Sequence, residues 1–118
     1  MVQMDFVEAF ERVAVIVSPT LPVVAPSIGR TFQPSGSFNV APRNIITRNT
    51  LPANVAGLPA ASVPCGLSSD GLPAGLQIIG PAFAEPLVLR VAAAYEDASP
   101  APQALPLIAE ASARLETS

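Results

Sequence analysis

The chain has 118 residues, enough for one domain, and it is acidic, with a formal net charge of −3. It contains six arginines and neither lysine nor histidine, which argues against nucleic-acid binding because phosphate contacts need clustered positive charge. Half of the residues are hydrophobic and only 13% are charged. A small domain has much surface per volume, so we expect part of this surface to be covered by another polypeptide or by self-association.

Nothing in the sequence indicates a membrane or a secretory route. The longest apolar run, at residues 13–17, is too short to cross a bilayer. Asp5, Glu8 and Glu11 stand where a secretory signal would carry positive charge. The single cysteine cannot form an internal disulfide, which suits a reducing compartment. We therefore predict a cytoplasmic protein with no membrane partner.

The N-terminal part predicts a helix followed by a strand. Asp5 and Glu8 have capping-box spacing, and Phe6 and Phe10 fall on one face of the helix that would follow. The run at residues 13–17 is continuous and largely β-branched. Such a run is typical of a strand buried on both sides, as in a parallel sheet covered by helices.

Residues 20–44 form a long proline-rich stretch, in which prolines and glycines interrupt any regular element. Irregular stretches of this length in a compact domain tend to be functional or to cover a neighbouring surface. Residues 45–50 are compatible with the start of a helix and with an extended arm.

The centre of the chain predicts a β-hairpin. Two apolar runs, at residues 58–65 and 74–79, flank a segment that ends in Asp70-Gly71. This dipeptide is a strong hairpin signal because glycine adopts the positive φ of a tight turn. Pro59 and Pro64 cannot donate to a ladder, which predicts an edge strand. Gln77 lies among apolar residues, so its amide is either solvated or buried with partners.

A helix is predicted over residues 85–96, with Glu85 and Pro86 in its first turn. Most of its faces are apolar, which favours burial on more than one side. Beyond Asp97 the composition shifts to proline and alanine. We therefore predict one unit over residues 1–98 and a linker with a weakly helical tail over residues 99–118.

The hairpin residues also carry a family resemblance. The patterns N-x-x-G-L-P-A-x-S-V-P-C-G at residues 54–66 and G-L-P-x-G-L-Q-I-I-G-P-x-F at residues 71–83 resemble the C-terminal end of amidase signature enzymes. Further similarity lies at residues 15–22 and 85–96, so the blocks occur in order over residues 5–97. The resemblance implies an α/β fold in which this chain forms the C-terminal part of a mixed sheet covered by helices, incomplete as a domain.

The same resemblance implies chemistry that this chain does not carry by itself. Amidase signature enzymes cleave carboxylic amides through an acyl-serine intermediate, using a serine nucleophile, a second serine and a lysine. Those residues lie on a glycine- and serine-rich segment of the G-G-S-S-G-G type, which this sequence lacks along with any lysine. No catalytic residue can therefore be assigned here. We expect the chain alone to be inactive, and the parent enzyme to act on a small-molecule amide together with the N-terminal part of the domain.

A substrate-binding role is predicted for Thr47, Arg48 and Asn49, because the resemblance places this segment near the acyl-substrate pocket. The alternative is structural, with Arg48 on the surface and Asn49 capping a turn. Glutamine-hydrolysing subunits of tRNA amidotransferases usually have an aspartate in this segment, at the place of Thr47. The substitution favours a general amidase, and the alternative is a glutamine-hydrolysing subunit.

Other reactive side chains have simpler interpretations. Cys65 has no neighbouring base or cation, and we predict a small residue buried at a strand end. Residues 68–70, with two serines and an aspartate, are interpreted as turn chemistry, and Glu96 and Asp97 as a solvated helix end. One cysteine and scattered carboxylates predict no metal site, and no glycine-rich phosphate loop indicates a cofactor.

A second function class remains open. The exposed strand edge and the proline-rich stretch also suit a non-catalytic module that pairs with a separate polypeptide by strand addition.

Overall fold

A computed structural model of the chain describes residues 2–26 and 45–99. The elements in chain order are helix α1 (Val2–Phe10), strand β1 (Ile16–Pro19), helix α2 (Leu51–Ala56), strand β2 (Ala60–Leu67), strand β3 (Pro73–Ile79) and helix α3 (Glu85–Ala98). The described strands form one antiparallel sheet in the order β1-β3-β2. This combination of a small sheet with helices confirms the α/β prediction. The stretch predicted to be irregular at residues 20–44, and the tail after residue 99, lie largely outside the described residues.

The predicted hairpin is confirmed. Gly71 has a φ of 76°, and its amide donates to the carbonyl oxygen of Ser68 at 2.9 Å. The Ser68 hydroxyl oxygen accepts a hydrogen bond from the amide of Leu72 at 3.2 Å, while the Ser68 amide donates to the Leu72 carbonyl at 2.8 Å. These bonds close the turn, so Ser68 has the turn role that was predicted, and Ser69 and Asp70 lie within the same turn. Strand β2 is an edge of the described sheet, as Pro64 within it and Pro59 just before it were expected to indicate.

The prediction for residues 13–17 is wrong in two respects. Strand β1 begins only at Ile16, and it pairs antiparallel with β3 instead of lying in a parallel ladder. Val13 and Val17 are 45% and 56% exposed, so the strand is not covered on both sides in this structure. A run of β-branched residues favours a strand, but it carries no information about the direction of the neighbouring strand or about what covers each face.

The helix at the N-terminus is confirmed, and it begins at Val2 instead of Asp5. Phe6 and Phe10 share a face as predicted, with ring centroids 6.2 Å apart and planes inclined by 19°. The Gln3 side-chain amide donates to the carbonyl oxygen of Ala56 at 3.2 Å, which attaches α1 to α2.

Helix α2 was not predicted, although its ends carry recognisable signals. Pro52 lies in the first turn, where a missing amide hydrogen does no harm, and Gly57 ends the helix with a φ of 69°. Before this helix, residues 45 and 46 are helical and residues 47–50 form turns. The amide of Leu51, the first residue of α2, donates to the Thr47 carbonyl oxygen at 2.9 Å. The question left open for this segment is therefore settled in favour of a helix start.

Helix α3 is confirmed and covers one face of the sheet. Val88 and Ala92 are buried against Val63 of β2 and Ile78 of β3, and Ile78 is the most deeply buried large side chain of the described core. Leu89 on the other side of the helix is 64% exposed. The expected burial of α3 on more than one side is therefore wrong for this structure, in which only one helix face has a partner.

Helices long and apolar enough to cross a membrane do not occur in residues 2–26 and 45–99.

Candidate functional site

The sheet face opposite α3 carries a row of polar side chains. Side chains alternate along a strand, so the neighbours of buried Ile78 and Val63 point away from α3. In the register of the sheet, Gln77 of β3 lies between Ser18 of β1 and Ser62 of β2. Three strands thus place hydroxyl and amide groups side by side on the face that the described helix α3 leaves open.

Gln77 is the one polar residue among the described residues that is fully buried, at 4% exposure. Its side-chain nitrogen donates to the backbone carbonyl oxygen of Asn49 at 3.1 Å and lies 3.4 Å from the hydroxyl oxygen of Ser18. Of the two interpretations left open for this amide, the structure therefore supports the buried one with partners. Burial of an amide without hydrogen bonds would be unfavourable by a few kcal/mol, so these contacts explain why glutamine is tolerated at this position.

Asn49 is attached to the sheet a second time. Its side-chain nitrogen donates to the carbonyl oxygen of Pro19 at 2.9 Å, and the residue is half-buried. The next residue, Thr50, donates its hydroxyl to the carbonyl oxygen of Thr47 at 3.2 Å. The turn at residues 47–50 is therefore held against the ends of β1 and β3 through both the backbone and the side chain of Asn49.

The three predicted substrate-binding residues differ in their surroundings. Asn49 faces the sheet and its amide is engaged with Pro19, whereas Thr47 and Arg48 are exposed. The structure brings the segment to the polar sheet face, next to Gln77 and Ser18. Sequence reasoning did not connect these residues, since Asn49 and Gln77 are 28 positions apart.

A second polar contact extends this face toward the start of β3. The hydroxyl oxygens of Thr20 and Ser62 are 2.5 Å apart, and the amide of Thr20 donates to the carbonyl oxygen of Gly75 at 2.8 Å. A methyl group at Gly75 would lie 2.8 Å from the Ser62 hydroxyl and 2.9 Å from that of Thr20. A side chain at this position would therefore force at least one of the two hydroxyls to move, which would break the contact between them.

The prediction that Cys65 is buried is wrong, since the thiol is exposed. The register between β2 and β3 shifts between Pro64 and Gly66, so Cys65 lies at an irregularity of an edge strand and has no paired partner on β3. It lines a groove of about 590 Å³ together with mainly apolar residues of β1, β3 and the segment that follows β1. Charged residues are absent from this lining, so no described group there can activate the thiol as a nucleophile.

The acidic pair singled out in the sequence lies at an exposed helix end. Glu96 and Asp97 are exposed in the last turn of α3, in agreement with the solvated helix end that was predicted. Groups of three or more side chains able to hold a metal ion are absent from residues 2–26 and 45–99.

The comparison with known proteins places these features in a family. The model of the amidase family matches residues 1–89. This chain belongs to the amidase family. The result agrees with the resemblance of the hairpin motifs, and it means that the polar sheet face and the turn at residues 47–50 are both parts of an amidase-family fold.

Among curated amidase-family proteins, a glutamyl-tRNA(Gln) amidotransferase subunit from Synechococcus sp. is 46% identical over 99 residues, covering 84% of this chain and 18% of the relative. A fatty acid amide hydrolase from Medicago truncatula is 47% identical over 91 residues, covering 77% of this chain and 15% of the relative. This amidase-family chain therefore spans less than a fifth of the length of these two relatives.

Solved structures of the family agree with the fold. A glutamyl-tRNA(Gln) amidotransferase subunit from Thermotoga maritima superposes with a TM-score of 0.72 at 40% identity, covering 83% of this chain and 20% of that structure. 6-Aminohexanoate cyclic dimer hydrolase superposes with a TM-score of 0.68 at 35% identity, covering 81% of this chain and 21% of that structure. The small sheet and its helices thus correspond to about one fifth of a larger amidase-family structure.

Proposed function

We propose that this chain works as the C-terminal portion of an enzyme that hydrolyses carboxylic amides. The observation that carries the proposal is the family match over residues 1–89, together with a relative whose name specifies amide hydrolysis. The resemblance to amidase signature enzymes implies an acyl-serine intermediate, whose serine and lysine come from the preceding part of the domain. Since this chain contains no lysine, the lysine that the resemblance implies as the base cannot come from it.

The contribution of this chain is a wall of the substrate pocket. Thr47, Arg48 and Asn49 form the part of that wall that meets the amide substrate. Two features support this role: the turn is exposed at Thr47 and Arg48, and Asn49 attaches it to strands β1 and β3 by hydrogen bonds. Binding residues on a turn that a sheet holds in place lose little conformational entropy when substrate arrives.

A glutamine-specific role is the first alternative. It is supported by relatives whose names identify them as subunits of a glutamyl-tRNA(Gln) amidotransferase. The resemblance argues against it at Thr47, where glutamine-hydrolysing members usually have an aspartate. A carboxylate would form an ion pair with the α-ammonium group of glutamine, and a threonine hydroxyl cannot.

The second alternative is a non-catalytic module that pairs with a separate polypeptide. It is supported by strand β2, which is an edge of the described sheet, and by apolar side chains exposed on several elements, such as Val17 of β1 and Leu89 of α3. The partner would be the remaining part of an amidase domain or a second copy of this chain. The composition and the single cysteine favour a cytoplasmic location for either role.

A chimera tests the proposal directly. Residues 1–99 of this chain replace the segment of 6-aminohexanoate cyclic dimer hydrolase onto which they superpose, and hydrolysis of the cyclic dimer is measured. We expect the chimera to be active, and the same host without the segment to be inactive. A chimera that folds, as judged by a cooperative melting transition, and does not hydrolyse the amide would contradict the proposed function.

Addition of the 118-residue chain to the shortened host separates the remaining alternatives. Activity restored in trans supports pairing with the remainder of an amidase domain, whereas binding without activity supports the non-catalytic module.

The glutamine alternative predicts ammonia release from glutamine by the chimera, and it predicts no gain in this activity when Thr47 is replaced by aspartate. The general-amidase proposal predicts that Thr47→Asp increases glutamine hydrolysis relative to a Thr47→Asn control.

A further inference from the structure

We infer that Gln77 is a positioning residue for the substrate-binding turn. Its buried side-chain amide holds the backbone of Asn49, so that Thr47 and Arg48 are presented from the polar face of the sheet. The geometric part of the inference depends only on the structure, and the link to substrate rests on the proposed function.

The chemistry of the contact suits a positioning role. An amide nitrogen has two hydrogens, and the partners available to Gln77 are the Asn49 carbonyl oxygen at 3.1 Å and the Ser18 hydroxyl oxygen at 3.4 Å. The residue is only 4% exposed, so water does not easily replace these acceptors as partners of the Gln77 amide. A buried donor with one firm acceptor on a neighbouring turn restricts where that turn can lie.

The two attachments of Asn49 lie at adjacent places in the ladder. Gln77 pairs with Ser18, and the next pair joins Leu76 and Pro19, whose carbonyl accepts the Asn49 side chain at 2.9 Å. The turn is therefore attached to both strands at consecutive register positions. Because β1 and β3 are hydrogen-bonded to each other, the two attachment points keep their positions relative to one another. The position of the turn is therefore fixed relative to both strands.

A purely structural role for Gln77 makes a different prediction. If the amide only satisfies buried polar groups, its loss lowers the stability of the whole sheet and loosens every element alike. If it positions the turn, its loss releases residues 45–51 first while the hairpin keeps its protection. Amide hydrogen exchange at single-residue resolution distinguishes the two cases.

The first experiment compares Gln77→Met with the wild type in the full 118-residue chain. Methionine has similar length and volume but no donor, so packing is retained while both hydrogen bonds are lost. We expect exchange of the Thr50 and Leu51 amides, both of which donate to the Thr47 carbonyl, to become about tenfold faster, as the loss of one hydrogen bond predicts. Exchange in β2 and β3 should change by less than about twofold by the same argument.

Two matched variants accompany this measurement. Ser62→Ala alters the other neighbour of Gln77 in the register without touching the turn, and we expect no change at Thr50 and Leu51. Asn49→Ala removes the second attachment at a half-buried position, and we expect the same local release as in Gln77→Met. If Gln77→Met does not fold, Asn49→Ala still tests the attachment. Uniformly faster exchange in both variants, or no change in the turn, overturns the inference.

The second experiment measures kinetics of Gln77→Met in the amidase chimera. A displaced turn weakens substrate binding more than the chemical step, so we expect KM to rise about tenfold and kcat to change by less than about threefold. An inactive wild-type chimera would contradict the proposed function and leave the exchange result to decide whether Gln77 positions the turn. Faster exchange in the turn combined with an unchanged KM overturns the link between the turn and the substrate.

Discussion

Gly80 and Val88 approach so closely that a methyl group on Gly80 would lie 2.5 Å from Cγ2 of Val88. Gly80 follows the last residue of β3. Val88 of α3 is only 2% exposed and is part of the hydrophobic core. The absence of a side chain at Gly80 therefore sets the distance at which α3 lies on the sheet.

We predict that Gly80→Ala destabilises the chain by about 1–3 kcal/mol, because a stiff β-branched neighbour cannot move out of the way within a packed core. The measurement is the midpoint of urea unfolding at low micromolar concentration. In the double variant with Val88→Ala, the new methyl group enters space that the valine has left, so the effects should be non-additive by about 1 kcal/mol or more. Additive effects would show that Gly80 is not constrained by Val88.

A similar test applies to the polar face. We predict that Gly75→Ala destabilises the chain by about 1 kcal/mol, because the added methyl group would lie within 2.9 Å of the Ser62 and Thr20 hydroxyls and break the hydrogen bond between them. Adding Ser62→Ala to this variant should recover part of the loss, since the nearest obstructing atom is then absent. The free energies of unfolding of the two single variants and the double variant are compared. If the losses caused by Gly75→Ala and Ser62→Ala simply add in the double variant, this explanation is wrong.

Phe83 combines two unusual features: it is 93% exposed, and it has a φ of 62°. A bulky residue in the left-handed region is strained by about 1–2 kcal/mol, and glycine is not. We predict that Phe83→Gly is more stable than Phe83→Ala by about 1 kcal/mol, although both remove the same exposed ring. The measurement is the free energy of unfolding of the two variants in urea. Equal values would show that the backbone is not strained at this position.

The exposure of Cys65 is directly measurable. We predict that Ellman's reagent modifies the thiol fully under native conditions, at a rate within about tenfold of the rate in urea, because an exposed thiol needs no unfolding to react. The control is the urea-unfolded chain at the same pH. Modification that requires unfolding would mean that the thiol is covered in solution, either by association or by a different strand register.

The edge strand predicts association of the isolated chain. We expect concentration-dependent oligomers in sedimentation velocity experiments, because unpaired strand edges and exposed apolar side chains favour pairing. Ala60→Lys places a charge on the exposed edge strand β2 and should reduce association more than Leu89→Lys, which places the same charge at an exposed apolar position of α3. A larger effect of Leu89→Lys would assign the association to the helix surface instead.

The sequence by itself determined the turns, helix starts and strand edges that depend on residues adjacent along the chain. Asp70-Gly71 predicted the hairpin turn because only a few residues adopt the required positive φ easily. Pro59 and Pro64 predicted the edge position of β2, since proline has no amide hydrogen to donate. Pro86 in the first turn predicted the start of α3, and the hairpin motifs predicted the amidase family. Helix α2 had comparable signals at Pro52 and Gly57 but is only six residues long, so no hydrophobic period identified it.

The tertiary structure alone decided which distant residues meet. The sequence showed that Gln77 was polar among apolar neighbours, and it predicted a role for Asn49, but nothing in either neighbourhood indicated that the two are hydrogen-bonded across 28 residues. The direction of β1, the exposure of Cys65 and the one-sided burial of α3 were likewise determined by how the strands pair and which faces find partners. Periodicity and turn chemistry depend on neighbours along the chain, whereas a buried donor is stable only where folding has brought an acceptor within reach.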